Sequence, residues 1–471
     1  MDRRQLLASG WAWAALAGIA RAQGVQATGE VADLRTAARE GWIYCLPLIE
    51  AAAARSRIAG PSSSGAEGGS NRFVHMSDLA GPQSRTITTP NNDTLYSHAW
   101  LDLSAGPVSI TLPRTGERYF SLALMDMFTN NFLVIGPRTT HGEGGEITIA
   151  PPQGKAPAGS VRAPTTWVWA LARTLVDGPS DLAAARAVQD GIVLRAHEGR
   201  IPDSGPGRDA AWNDYFLWAQ ALLDDNPPPE ADRPFFQRIA ALQLGPRHSF
   251  ANARFADTET GDIEAGVNDG RALLAGLKPR GVQGWTYPKP DLGDFGQDYL
   301  YRAAVAVSGL AALPPSEAMY MRAVGPDGEG VLQEGHYRLS LPGPVPVDGF
   351  WSLTLYEATP QGQLFLTANP LGRYSIGDRT AGLKRGPNGE LDIWIGRNDP
   401  GPSRRPNWLP APASGPFALI LRAYLPRAEL VEGRYRLPEL VRLDPPAAAR
   451  PVAEPPVVKP PPPKPRRRRR R

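Results

Sequence analysis

The sequence predicts an α+β, β-rich protein built from two β-sandwich, jelly-roll-like domains, with a helical N-terminal segment and a helical insert between them. Three observations carry this expectation. Short alternating strands separated by turn residues recur at sandwich spacing in two regions. The period changes to helical between them. Five segments of the first region then recur, in the same order, in the second.

Residues 1–22 read as an export signal of the twin-arginine type. Arg3 and Arg4 precede an apolar run through Trp11, Trp13, Leu16 and Ile19, and Ala20-Arg21-Ala22 offers a cleavage pattern. The run is too short, with the wrong flanks, for a transmembrane helix. The expected location is periplasmic or secreted. The single cysteine, Cys45, excludes an intrachain disulfide, so stability must come from buried apolar surface. Its apolar setting, Gly41 to Leu48, suits a core residue rather than a nucleophile.

The formal charge of +4 conceals a split. Residues 451–471 contribute +7 and residues 1–22 contribute +2, which leaves residues 23–450 at −5. The tail, residues 446–471, is Pro-rich and ends in Arg466 to Arg471, a composition that favours disorder or polyproline. It would touch anionic surfaces; nucleic acid is not expected as a partner behind an export signal.

Residues 23–178 are expected to form an N-terminal helix and the first sandwich. Glu30 to Ile58 is Ala-rich and reads as helix interrupted near Pro47. A Gly/Ser loop, residues 61–70, leads to the stretch Thr89-Pro90-Asn91-Asn92-Asp93-Thr94-Leu95-Tyr96. Asn and Asp start turns by bonding their own backbone. Thr94 to Leu103 then alternates as a strand, with Leu95, Ser97, Ala99 and Leu101 on one face and Tyr96, His98, Trp100 and Asp102 on the other. Strands are expected at 108–112, 119–126, 132–135, 146–150 and 167–176. Residues 179–313 read as the helical connector, residues 314–445 as the second sandwich.

The internal repeat pairs Tyr119-Phe120-Ser121-Leu122 with Phe350-Trp351-Ser352-Leu353. It pairs Gly136-Pro137-Arg138-Thr139 with Gly377-Asp378-Arg379-Thr380, and Ala163-Pro164 then Arg173 with Ala411-Pro412 then Arg422. A residue type present in both copies is read as architectural. That discounts Arg173 and Arg422, and Asp126 with its partner Glu357. Residues without a counterpart become the site candidates: Asn91, Asn92, Asp93, His98, His141, Asp348 and Trp408. Tyr96 is ambiguous, with Tyr320 its one candidate counterpart.

The chemistry these residues offer is a carboxylate, an imidazole and a phenol for general acid–base work. Asp93, His98 and Tyr96 are the candidate catalytic set, with Asn91, Asn92, Trp100, Asp348 and Trp408 as substrate contacts. Asp93, His98 and His141 are the candidate ligands if a divalent metal binds. There is no phosphate loop, no H-E-x-x-H and no G-x-S-x-G elbow. The resulting expectation is a hydrolase-like enzyme acting on a carbohydrate or a small ester or amide. The alternatives are a non-catalytic binder of a glycan or small molecule, using aromatic platforms, and a structural homo-oligomer.

The segments Tyr44-x-x-Pro47, Thr89 to Tyr96, Gly136-x-Arg138-Thr139, Arg302-Ala303, Glu317-Ala318-x-Tyr320, Arg373 to Gly377 and Asn407 to Pro412 closely resemble a bacterial family of two tandem domains of unknown function, numbered 1254 and 1214. The resemblance runs from about Val31 to about Val441. It implies a tandem β-rich fold, often behind an export signal, and no established reaction.

Overall fold

A computed structural model describes residues 31–444, apart from 61–68, 86–87, 279–280, 326–327 and 329. The segment read as an export signal, most of the Gly/Ser loop and the basic tail lie outside the described residues.

The longest helix, α1 (Leu34–Ala59), starts where the Asp33 carboxylate accepts the Thr36 N–H at 2.9 Å. It continues straight through Pro47, against the expected interruption. Proline costs a helix interior one hydrogen bond and about 3 kcal/mol. Here burial outweighs that cost, since Gly41 to Ile49 is buried on every side.

The first half forms nine strands: β1 (Val74–His75), β2 (Thr94–Asp102), β3 (Val108–Leu112), β4 (Phe120–Met125), β5 (Asn131–Ile135), β6 (Gly145–Ala150), β7 (Val161–Arg162), β8 (Trp167–Leu175) and β9 (Val193–Arg195). They make two sheets, ordered β1-β2-β8-β4-β5 and β7-β6-β3-β9. Between them lies an apolar core that includes Ala99, Leu101, Ile110, Leu122, Leu124, Ile149, Val168 and Ala170. The strand β9 comes from the stretch read as the helical connector and pairs with β3.

The connector supplies α2 (Leu182–Asp190), α3 (Trp212–Asp225), α4 (Asp257–Ala275) and α5 (Tyr299–Ser308). Residues of α1, α3, α4 and α5 pack onto the other face of the first sheet, against Trp100, Met125, Trp167, Trp169 and Leu171. Both faces of β2 are therefore covered.

The second half repeats the design: β10 (Trp285–Thr286), β11 (Ala318–Ala323), β12 (Tyr337–Leu341), β13 (Trp351–Ala358), β14 (Leu364–Phe365), β15 (Ser375–Gly377), β16 (Leu391–Gly396), β17 (Trp408–Pro410), β18 (Phe417–Tyr424) and β19 (Val441–Arg442). Its sheets run β10-β11-β18-β13, with β14 and β15 both on β13, and β17-β16-β12-β19. Each strand order is that of the first half with its counterpart substituted. Even the parallel pairs correspond, β6 with β7 and β16 with β17. The same closing bond follows each: Ala163 N–H to Ala150 O at 2.9 Å, and Ala411 N–H to Gly396 O at 3.0 Å. The internal repeat is thus a duplicated topology.

The Gly-x-Arg-Thr segments show why a repeat keeps particular residues. A Cβ on Gly136 would stand 2.9 Å from Phe120 O, and one on Gly377 2.2 Å from Trp351 O. Only glycine lets backbone approach backbone so closely. The glycine N–H is accepted by the threonine hydroxyl three residues on, at 3.0 Å in the first copy and 2.9 Å in the second.

Candidate functional site

Cross-strand register builds the centre of the molecule. Tyr96 on β2 lies opposite Arg173 on β8, which lies opposite Ser121 on β4. In the second half Tyr320 lies opposite Arg422, and Arg422 opposite Ser352. Tyr320 is therefore the counterpart of Tyr96. The two Tyr-Arg-Ser rows meet at the junction between the halves, where Tyr119, Tyr320, Phe350 and Tyr424 share one buried cluster.

Asp93 precedes Tyr96 by three residues, as Glu317 precedes Tyr320. Their backbones are held alike: Val176 N–H donates to Asp93 O at 3.0 Å, and Leu425 N–H to Glu317 O at 2.8 Å. Their side chains cross to the opposite half. Asp93 Oδ2 accepts from Ser352 Oγ at 2.6 Å, and Glu317 Oε1 accepts from Tyr119 Oη at 2.8 Å. Arg138 closes on Glu317 at 2.5 Å, and Arg379 Nη1 donates to Val176 O at 3.2 Å. These contacts make a reciprocal clasp. Asp93, which the sequence placed outside the repeat, belongs to it.

The rest of the Thr89–Asp93 segment serves the same junction. Tyr356 Oη donates to Pro90 O at 2.9 Å, and Arg422 Nη2 to Thr89 O at 3.2 Å. Asn91 Oδ1 accepts the Asp93 N–H at 2.8 Å, the Asx-turn its sequence suggested. Asn91 Nδ2 donates to Tyr424 Oη at 2.8 Å and reaches Tyr96 Oη at 3.3 Å. Asn92 Nδ2 donates to Ala80 O at 2.5 Å.

Beyond Tyr96 the helix-covered face of β2 and β8 carries a ladder of rings. Tyr96 stacks on His98 at 5.9 Å, His98 on Trp169 at 5.8 Å, and Trp169 on Trp100 at 5.1 Å. Arg173 stands over the Tyr96 ring at 5.3 Å and donates through Nη2 to Ala311 O at 2.7 Å. Trp100 and Trp169 are buried, whereas Tyr96 and His98 are only half-buried. Three ring nitrogens of this ladder, His98 Nδ1, Trp100 Nε1 and Trp169 Nε1, are buried with no hydrogen-bond partner. Buried polar atoms are almost always paired, and here three orphans share one row.

The electrostatics fit. Burial pushes His98 down to about 4, and the neighbouring Arg173 charge adds to the effect, so the imidazole is neutral at ordinary pH. Burial opposes ionisation of the Tyr96 phenol, but the Arg173 charge, the Asn91 hydrogen bond and the Arg422 charge together lower it. Cys45 plays no part, because burial raises its thiol to about 12.

The other predicted residues lie elsewhere. His141 is exposed in a left-handed turn after Thr140. Asp348 is exposed and pairs with Arg427 at 2.6 Å. Trp408 is buried in the second sandwich and donates through Nε1 to Gly396 O at 2.8 Å. Among the described residues no group of three or more His, Cys, Asp or Glu could hold a metal. The expected set of Asp93, His98 and His141 does not converge: Asp93 turns to the second half, His98 to the helices, and His141 to solvent. The candidate catalytic trio is divided as well, with Tyr96 and His98 together and Asp93 committed to Ser352. The sequence reading missed Trp169 and discounted Arg173. Both stand on the strand expected at 167–176, and its antiparallel pairing with β2 sets them beside Tyr96, His98 and Trp100.

The architecture defines a duplicated β-sandwich protein with a helical cover over one sheet. Residues 70–196 match the family model described as "Protein of unknown function (DUF1254)", and residues 317–428 the one described as "Protein of unknown function (DUF1214)". The chain belongs to the family that joins these two domains in this order. The crystal structure of the VPA0106 protein from Vibrio parahaemolyticus is similar at a TM-score of 0.66 and 24% identity, over 88% of this chain and 100% of that one. That likeness is one of fold. An uncharacterized protein from Burkholderia cenocepacia matches at a TM-score of 0.42 and 11% identity, over 86% of this chain and 88% of that one. No curated protein matches the sequence.

Proposed function

We propose that this protein binds a small molecule between the first sheet and its helical cover, at Tyr96, His98, Trp100 and Trp169. The observation that carries the reading is the row of unpartnered ring nitrogens beside two half-buried rings. Ligand sites join apolar, aromatic walls to a few placed polar groups, and this row has both. A hydrolytic reading keeps one point in its favour, the Tyr96 phenol lowered by two guanidiniums. It lacks a second acid–base group poised near neutral pH, because Asp93 holds Ser352 and burial leaves the His98 imidazole a weak base. The Arg3-Arg4 leader supports a periplasmic or secreted location, tested by fusing residues 1–30 to a reporter that signals only after folded export.

A thermal-shift screen of aromatic acids, amides, phenols and sugars tests the binding reading. A ligand at one hundred times its Kd stabilises the folded state by about 2.7 kcal/mol. At least one compound class is expected to give a saturable shift that His98→Ala abolishes. No shift across the panel would refute the reading.

A further inference from the structure

Resting on that binding reading, we infer that the ligand is an aromatic monocarboxylate, its carboxylate held by Arg173 and its ring laid along His98, Trp169 and Trp100. The layer between the first sheet and the helices is rich in buried cations without a direct ion pair among the described residues. Arg55 on α1, Arg173 on β8 and Arg302 on α5 are 2%, 4% and 1% exposed. Among the described residues none has a carboxylate within ion-pair distance, though Glu317 lies in the field of Arg173 and Asp126 in that of Arg302. Arg55 leans on the Trp167 ring at 4.3 Å, and Arg302 is caged by Tyr44 at 4.8 Å, Tyr299 at 5.0 Å and Phe128 at 5.5 Å. Burying a charge without an opposite charge is costly, and rings compensate only in part.

The carboxylates around this layer are already engaged. Asp93 takes Ser352, and Glu317 takes Tyr119 and Arg138. Asp126 accepts the Asn130 N–H at 2.9 Å, and Asp232 accepts Tyr44 and Tyr299, each at 2.7 Å. Donors predominate among the groups left over: the indole N–H groups of Trp100 and Trp169, Arg55 Nε and Nη1, Arg173 Nη1, and Arg302 Nε and Nη2, beside His98 Nδ1 and the Ser121 hydroxyl, which can also accept. An acceptor-rich, negatively charged ligand answers that inventory.

Arg173 is the anchor because of what surrounds it. Its neighbours in the row, Tyr96 and His98, are the half-buried members, so this end of the row lies nearest the surface. Its Nη2 is spent on Ala311 O, which leaves one free edge and suits one carboxylate rather than a dianion. The duplicate is built alike: Arg422 has Asp93 in its field and Arg173 has Glu317, but Glu317 is already engaged by Tyr119 and Arg138. From Arg173 the stacked rings continue as a flat apolar wall fit for an aromatic body.

The test is calorimetric titration of the whole protein with 2-naphthoate and with its neutral isostere 2-naphthamide. The acid is expected to bind about 100-fold tighter, the scale of a buried charged hydrogen bond. Arg173→Met should erase that preference, with far-UV circular dichroism showing the variant folded. Trp169→Phe, which keeps a ring and removes the N–H, should weaken the acid by about tenfold. Equal affinity for acid and amide would overturn the carboxylate assignment and leave the binding site standing. A preference that survives Arg173→Met would overturn the anchor. Binding of neither probe, while other compounds shift the protein, would overturn the inference alone; a panel without any response would remove the binding reading beneath it.

Discussion

Replacing Asp93 by Ala separates a clasp from a catalytic group. Asp93 and Ser352 are 5% and 2% exposed and join the halves through a 2.6 Å bond to an anionic acceptor. Such a charge-assisted bond contributes about 1.5–3 kcal/mol. Asp93 also lies in the field of the buried Arg422, which hydrogen-bonds the neutral Thr354 hydroxyl and Thr89 carbonyl and stands over the Tyr356 ring. Removing one member of a buried charged pair costs about 3–5 kcal/mol in all, because the remaining charge stays buried. Ser352→Ala, which removes only the hydroxyl, should cost about 1.5–3 kcal/mol. The double variant should cost less than the two together, with a coupling of about 1–3 kcal/mol.

The assay is urea unfolding followed by tryptophan fluorescence and by far-UV circular dichroism. In the parent protein the two signals should coincide, since the clasp ties the halves together. In Asp93→Ala they should separate into two transitions, and Glu317→Ala should act in the same direction from the other side. Catalytic carboxylates are commonly lost without loss of stability. An Asp93→Ala midpoint within about 0.5 kcal/mol of the parent would therefore refute the clasp and return Asp93 to the list of free acids.

Three further expectations follow from single groups. The folded pKa of His98, about 4, lies below its unfolded value near 6.5, so the unfolded chain takes up the proton first. This site should therefore weaken the fold as pH falls from about 6.5 to 4, by at most about 3 kcal/mol; His98→Phe should remove that part of the pH dependence, and NMR should show the ring still neutral at pH 5. Asp126 behaves oppositely, because burial raises it to about 6 against the Asn130 bonds. Its contribution is present below about pH 4 and is lost as pH rises to about 6, so Asp126→Asn should gain up to about 3 kcal/mol at pH 7 and nothing at pH 3.5, read from urea midpoints. Removing residues 446–471, with their nine Lys and Arg, should sharply reduce sedimentation with anionic vesicles at low salt, each Arg near such a surface contributing about 1 kcal/mol; unchanged sedimentation would mean the tail has no part in it.

Much of the fold was legible because strand patterns are local. The alternation from Thr94 to Leu103 announced both faces of β2, and five matched segments announced a duplicated topology before any strand was paired. What stayed hidden depended on contacts between distant residues. Pro47 reads as a break until burial on every side of α1 is known. Asp93 read as unduplicated because its counterpart, Glu317, is a different acid in a different motif. The shared three-residue offset to Tyr96 and Tyr320 was the available clue.

The rule that residues present in both copies are architectural holds for Arg138 and Arg379, which reach across the junction from either side. It misleads at Arg173, because a duplicated residue keeps one role only while its surroundings stay duplicated. By register, His98 corresponds to Arg322, Trp100 to Val324 and Trp169 to Ala418. The second copy has no ring ladder at these positions, and Arg322 there donates to Gly330 O at 2.5 Å. In the first copy the same positions hold three rings with unpartnered nitrogens beside a buried arginine that has no ion pair among the described residues. Symmetry in this molecule builds the junction, and chemistry is to be sought where the symmetry is broken. The sequence displayed His98 and Trp100 as unmatched residues, but only cross-strand register set Trp169 and Arg173 beside them.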